Sequence, residues 1–305
     1  MKKINAEANY LRREPRFTLN KDLILPSETR VQINECLTKL LHHKTIYMDW
    51  NFSSVDPIGM GTVLNFYGPP GTGKTLAAEA LAGTLGLPFI SIGIAEIESK
   101  FMGETAKNIQ RAFAETTETG ALLFFDEADT LLGKRLSSVT QGVDNEVNSM
   151  RSTMLIELER FEGIAVFATN FAKNYDEAFR SRISYHVKFD LPDLEARKAL
   201  WSRMLVKEIP ISGERKEIIN WCAELSEGLS GREIRTCMRI ALPKPLMSAE
   251  VGEARLALEH LKESIHQVKQ AHVDVASSTN TRSSSSDAAV AKRLLGISLE
   301  NKKED

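Results

Sequence analysis

Hydrophobic and polar positions divide the chain into two regimes. From about residue 25 to 191, short apolar runs alternate with longer stretches whose apolar positions recur at helical spacing. The runs Val63–Tyr67, Phe89–Ile92, Ala121–Phe125, Ile164–Ala168 and His186–Phe189 predict strands, and intervals such as Thr75–Leu85 predict helices. Strands that are apolar throughout and separated by helices imply a parallel sheet covered on both faces, an α/β fold. Ahead of the sheet, Pro26-Ser27-Glu28 reads as a helix start with Ser27 as its cap, followed by apolar Val31, Ile33, Leu37, Leu40 and Leu41.

Beyond Leu191-Pro192-Asp193 the strand signals stop. Helical patterns follow near 193–207, 214–227 and 230–241, and a longer one runs from about Ala249 to His272 after the break at Pro243 and Pro245. Residues 1–24 read as a polar N-terminal arm. Ser283 to Ser286 are consecutive in a Ser/Thr-rich end that offers too little apolar surface to pack, apart from a short amphipathic stretch at Ala288–Ile297. The expected division is therefore an arm (1–24), an α/β domain (25–191), a small all-helical domain (192–274) and a disordered tail (275–305).

Composition acts mainly by exclusion. In 305 residues, 42% are hydrophobic and 26% charged, the balance of a soluble globular protein. Lys and Arg total 39 against 41 Asp and Glu, a net charge of −2, which speaks against a protein built to grip nucleic acid. Apolar runs fall short of the roughly 20 residues that cross a bilayer, and nothing after Met1-Lys2-Lys3 reads as a secretory signal. Cys36, Cys222 and Cys237 are widely spaced and lack ligand spacing, which fits a reducing cytoplasm. His260, His266 and His272 recur every six residues and so scatter around a helix instead of sharing a face. Trp201, Trp221 and Cys222 are expected on apolar helix faces.

The chemistry concentrates in two places. Gly68-Pro69-Pro70-Gly71-Thr72-Gly73-Lys74-Thr75 fits G-x-x-x-x-G-K-[ST], with a strand before it and a helix after it. Glycines there let backbone N–H groups turn toward phosphates, and the helix N-terminus adds its positive end. Lys74 is expected on the β- and γ-phosphates and Thr75 on Mg²⁺. Leu122-Leu123-Phe124-Phe125-Asp126-Glu127 is an apolar strand ending in two acids: Asp126 for the Mg²⁺ shell, Glu127 as general base for the attacking water. Asp126-Glu127-Ala128-Asp129 also spells a helicase tetrad, but 305 residues leave no room for the second α/β domain a helicase needs.

These motifs together resemble the AAA+ ATPases over about residues 25–272. The resemblance implies a P-loop NTPase sheet with a helical lid, ATP and Mg²⁺ as ligands, and Gly68 to Thr75 with Leu76 and Asp126 around the nucleotide. Ile164 to Asn170 matches the family's sensor-1 strand, with Asn170 orienting the lytic water beside Glu127. Asp176 to Ile183 matches the arginine-finger segment, with Arg182 favoured over Arg180, which implies a ring, usually a homohexamer. An arginine finger is worth about 10³–10⁵ in rate. Glu98 to Glu104 sits where protein-threading rings carry a pore loop, which assigns Lys100, Phe101, Met102 and Gly103 to substrate contact. Gly133 to Val143, with Lys134, Arg135 and Gln141, is either a second pore loop or a generic polar loop.

Gly228-Leu229-Ser230-Gly231-Arg232 opens a lid helix with Arg232 in the sensor-2 position. With the lone Arg182 and Ser99-Lys100-Phe101, it resembles the pachytene-checkpoint remodellers of HORMA-domain proteins. Compact bacterial relatives of these act in antiphage operons, disassembling a HORMA–nucleotidyltransferase complex. The expected function is an ATP-driven remodeller of a folded protein; a remodeller with a non-HORMA substrate, a DNA loader or initiator, and a slow ATP-assembled scaffold are the alternatives.

Overall fold

Apolar runs too short for helices but flanked by them have one good solution, the interior of a parallel sheet, and the chain adopts it. The computed structural model describes residues 12–56, 61–97, 104–133, 142–170, 176–248 and 252–274. Among these, strands β1 (Arg12–Arg13), β2 (Thr62–Tyr67), β3 (Phe89–Gly93), β4 (Leu122–Asp126), β5 (Ile164–Thr169) and β6 (Tyr185–Lys188) form one sheet in the order β1-β3-β4-β5-β2-β6. Every neighbouring pair is parallel except β1 with β3. The five parallel strands fall within two residues of the runs read from the sequence. Their carboxyl ends share one edge, where Tyr67 pairs in register with Thr169.

Alternate residues of these strands feed two cores. Ile90, Leu123, Phe125 and Phe167 pack on one face against Ile94 and Ile97 of α4 (Ile94–Ile97), Ile109 and Phe113 of α5 (Glu104–Thr119) and Met154 and Leu158 of α7 (Gly142–Arg160). Leu64, Phe66, Phe124 and Val166 pack on the other against Ile33 of α2 (Ser27–Leu41) and Ala77, Ala78 and Leu81 of α3 (Lys74–Leu85). Alanines on α3 let that helix lie close to the sheet, so its first turn is held rigidly at the strand edge. In α2 the cap position is Pro26, and Ser27 is the first helical residue without a side-chain cap bond. Ile33 is buried, whereas Val31 and Leu41 are exposed.

The segment read as an arm is docked from Arg12 onward. Besides β1, it carries α1 (Leu19–Asp22), buries Leu19 and Leu23, and sends Phe17 O so close to Gly83 that a Cβ there would sit 2.1 Å from it. The anchor is Glu79 of α3, only 3% exposed. Its carboxylate accepts bonds from Arg16 N (3.1 Å), Nε (3.0 Å) and Nη2 (3.2 Å) and from Arg13 Nη2 (3.2 Å). Burial pushes this carboxyl up, but the bonds and charge of Arg16 and Arg13 outweigh it and hold the group below its ordinary value.

The described residues divide into two compact units, one up to Leu200 with Ser230–Arg232, the other comprising Trp201–Leu229 and the chain from Glu233. Elements following the sheet are α9 (Leu194–Met204), α10 (Arg215–Leu225), α11 (Gly231–Ala241) and a helix over 258–274, called α12. In the helical unit, fully buried Trp201 donates from Nε1 to Ser226 Oγ (2.9 Å), and that hydroxyl donates to Cys222 O (2.6 Å). Burial pushes the Cys222 and Cys237 thiols up to about 12, which makes them packing groups, not nucleophiles.

Two expectations are corrected here. Trp221 is 52% exposed, with Lys262 Nζ 5.9 Å from its ring centroid, because it lies on the outer face of α10. The last helix starts at 258, not near Ala249: Leu256 is buried in a bridge to Ile211, with Leu256 N bonded to Pro210 O (2.8 Å) and Ser212 N to Leu256 O (3.0 Å). No helix among the described residues is long and apolar enough to cross a membrane.

The Glu79 anchor yields a stability prediction. Glu79→Ala is expected to cost roughly 1–3 kcal/mol in urea unfolding, the scale of hydrogen bonds to a charged group with solvent-accessible partners. Because folding lowers this carboxyl's pKa, its contribution is present at neutral pH and is lost as pH falls below the ordinary value of 4.5. The variant should therefore lose less stability than the parent on acidification.

Candidate functional site

Gly68 follows β2 at φ 143°, and a Cβ there would sit 2.1 Å from Phe189 O, so only glycine lets the chain leave the sheet at this point. Gly71 is equally constrained: a Cβ would meet Ser230 Oγ at 2.7 Å and Arg232 Cβ at 2.8 Å, and Gly71 O accepts from Arg232 N at 3.2 Å. Thr72 Oγ1 closes the turn on Pro69 O (2.8 Å), Pro70 is exposed, and Gly73 caps α3. Leu76, one turn into α3, packs against the core beneath.

At the mouth of this loop Lys74 is 8% exposed, and its ammonium donates to Gly68 O (2.7 Å), Pro69 O (2.9 Å) and Asn170 Oδ1 (3.0 Å). Burial lowers its pKa, the carboxylates of Asp126 and Asp129 oppose that, and Arg232 adds to it. Thr75 Oγ1 donates to Asp126 Oδ2 at 3.1 Å, and Glu127 N donates to Asp126 Oδ1 at 3.0 Å. Glu127 has φ 55°, a left-handed backbone that a non-glycine residue adopts at a cost of about 1–3 kcal/mol. That turn directs its own N–H onto Asp126 and leaves Oδ2 of Asp126 for Thr75.

Lys74, Thr75, Asp126, Glu127 and Asn170 thus meet at the ends of β2, β4 and β5 or in the loops that leave them. One residue the sequence reading passed over joins them. Asp129, the first residue of α6 (Asp129–Leu132), accepts the Asn170 N–H with both carboxylate oxygens, at 3.0 and 3.3 Å. Its signal was its place three residues after Asp126, at a helix start. Arg182 bonds elsewhere: Nη1 donates to Ala178 O (2.9 Å) and Nη2 to Glu159 Oε2 (3.1 Å). Arg180, in α8 (Glu177–Arg180), is exposed. Lys100, Phe101, Met102 and Gly103 lie outside the described residues, as do Ser99, Lys134, Arg135 and Gln141.

The donor set fits a magnesium nucleoside triphosphate. A hydroxyl and a carboxylate brought to 3.1 Å on separate elements are hard oxygen ligands of the kind Mg²⁺ takes beside phosphates. A buried ammonium held by uncharged oxygens, at a helix N-terminus, is a phosphate counter-charge.

Comparison with known proteins agrees. Residues 64–191 match the ATPase family associated with various cellular activities (AAA). The chain is 30% identical over 223 residues to the ATPase family AAA domain-containing protein FIGL1 of Arabidopsis thaliana, spanning 70% of this chain and 32% of that protein. It is 37% identical over 178 residues to the 26S proteasome regulatory subunit 7 homolog of Schizosaccharomyces pombe (56% and 40%). Against spastin of Drosophila melanogaster it is 29% identical over 202 residues (63% and 26%). The chain therefore spans well under half the length of these relatives. The crystal structure of the FIGL-1 AAA domain in complex with ADP superposes with a TM-score of 0.65 at 19% identity, covering 90% of this chain and 92% of that one.

Lys74→Ala should weaken fluorescent ADP and ATP binding by at least about tenfold, the loss of one charged hydrogen-bond donor to phosphate. Equilibrium titration tests this without any turnover. Taken together, strand edge, loop and matches identify residues 64–191 as an AAA ATPase domain, homologous to those of fidgetin-like and spastin-type ATPases.

Proposed function

We propose that this chain is the subunit of an ATP-hydrolysing ring that remodels a folded protein. The observation that carries the reading is the single cluster formed by Lys74, Thr75, Asp126, Glu127 and Asn170 within an AAA domain. Backbone N–H groups of Gly71 to Thr75 and the Lys74 ammonium bind the phosphates, and Leu76 lies beneath them. Thr75 and Asp126 hold Mg²⁺, which when bound neutralises charge on the phosphate oxygens. Glu127 takes the proton of the attacking water, Asn170 orders the reacting groups, and Arg232 reaches the γ-phosphate from its helix start. Bonds from Lys74 to carbonyl oxygens have to be exchanged for bonds to phosphate as the nucleotide enters.

A neighbouring subunit supplies Arg182 to complete each pocket, so the active form is a homohexamer. To reach across, Arg182 exchanges Glu159 for phosphate, and the exposed Arg180 is the alternative finger. Phe101, flanked by Lys100, Met102 and Gly103, grips the substrate chain; support for this is the sequence alone. The proposed substrate is a HORMA-domain protein and, through it, a nucleotidyltransferase complex reset in cytoplasmic antiphage defence. Support comes from Ser99-Lys100-Phe101, the lone Arg182, and Gly228 to Arg232. The net charge of −2 speaks against nucleic acid as the partner.

Glu127→Gln should cut hydrolysis roughly 10²- to 10⁴-fold, as loss of a general base does, while ATP-induced rings persist in light scattering. Full-rate hydrolysis by protein that stays monomeric with saturating ATP would sink the ring reading. Mixed with ATP and a closed HORMA–peptide complex, the protein should release the peptide, and Phe101→Ala should abolish release while keeping ATPase activity. Hydrolysis without release would remove the HORMA assignment and leave the general remodeller.

A further inference from the structure

One contact at the site that the roles above leave unused is the one between Asp129 and the end of β5. We propose that Asp129 is a positioning residue for Asn170 and that it fixes the Asn170 side chain as a hydrogen-bond donor toward the terminal phosphate. This rests on the nucleotide-hydrolysis reading of the same site.

Three observations converge. First, the loop after β4 is fastened to the end of β5 twice: Ala128 N donates to Ala168 O (2.9 Å), and the Asp129 carboxylate takes the Asn170 N–H at 3.0 and 3.3 Å. An acceptor that uses both oxygens holds the peptide plane of residue 170, and with it the direction of the Cα–Cβ bond. Second, the side-chain atom facing Lys74 at 3.0 Å is Oδ1. An ammonium has only donors, so it selects the carbonyl end of the amide and excludes the reverse orientation. Third, with Oδ1 held by Lys74 and the backbone N–H held by Asp129, Nδ2 is the polar side-chain atom left to serve a substrate, and it can only donate. Its partner must be an acceptor, and the oxygens of a nucleoside triphosphate beside Lys74 are acceptors of the right charge.

Asp129 thus belongs to the same short segment as Asp126 and Glu127 but acts through a different strand. It ties the metal and base positions at the end of β4 to the sensing position just past β5. A charge role is the rival account, since Asp129 also favours the protonated Lys74.

The experiment combines steady-state kinetics with amide hydrogen exchange in nucleotide-free protein. Asp129→Ala is expected to lower kcat roughly 10- to 100-fold, the scale of a lost charged hydrogen bond, with KM and ADP affinity moving less than about threefold. Exchange in the peptide ending at Asn170 should accelerate without any nucleotide. Asp129→Asn keeps an acceptor oxygen without the charge and should recover most of kcat. Asn170→Asp replaces the donor by an acceptor and should lose as much kcat as Asn170→Ala. The proposal is overturned if Asp129→Ala retains kcat and normal exchange, if Asp129→Asn is as poor as Asp129→Ala, or if Asn170→Asp turns over normally. Should Asp129→Ala not fold, Asp129→Asn is judged against the parent instead: a kcat more than about tenfold below the parent, or unchanged turnover by Asn170→Asp, overturns the proposal. Hydrolysis by Lys74→Ala at the parent rate would sink the hydrolysis reading instead, while the exchange measurement would still judge the Asp129–Asn170 tie.

Discussion

A buried ammonium surrounded by uncharged oxygens is an unfinished interaction, and the large unit is organised around one. Lys74 meets two carbonyls and an amide oxygen, and its burial disfavours the charged form. Asp126 and Asp129 lie close enough to favour the cation but give it no direct bond, while Arg232 works against it. An arriving polyanion relieves that imbalance in a way water in a narrow loop cannot. The ligand class follows from this constraint, and so does the need for a metal: a triphosphate brings more negative charge than one lysine offsets. Thr75 and Asp126, 3.1 Å apart, stand ready for the remainder.

The backbone makes this arrangement possible. Gly68 leaves the sheet where a Cβ would strike Phe189 O, and Glu127 accepts a left-handed turn that fixes Asp126. Both lie at the carboxyl edge of the parallel strands, where open α/β sheets bind their ligands. The helix carrying Lys74 and Thr75 in its first turn carries Glu79 in its second, and Glu79 is what Arg13 and Arg16 hold. The segment from Arg12 is therefore fastened to the helix that lines the phosphate loop.

How much of this was legible in the sequence depended on range. Strands buried on both faces announce themselves as apolar runs, so all five parallel strands are placed by those runs alone. The loop from Gly68 to Thr75 and the acids at Asp126 and Glu127 were legible because their chemistry needs residues adjacent in sequence. Contacts between distant positions were not legible. Glu79 and Arg16 are 63 residues apart, and Asn170 and Asp129 are 41 apart; neither pair has a spacing rule that would join them. The docking of the segment from Arg12 was not legible for that reason: mixed charge does not reveal its counter-ion until that is found buried on another element. Trp221 failed differently, since a helical period places a residue on a face but does not say which face the neighbours cover.

On the ring reading, Arg182 is a case in which a weak interaction is the functional one. Its pair with Glu159 is part-exposed on both sides, and such pairs contribute about 0–1 kcal/mol. As a source of stability it is negligible. For a residue that must leave its own subunit and meet a neighbour's phosphate, weakness is a requirement: a fully buried pair would cost several kcal/mol to break and would hold the guanidinium at home. Glu159 sits near the end of α7, a helix that begins directly after the segment 134–141. On the ring reading, any shift of α7 would loosen or tighten the hold on Arg182. The ease of that exchange, and not the strength of the bond, would then carry the signal from one subunit to the next.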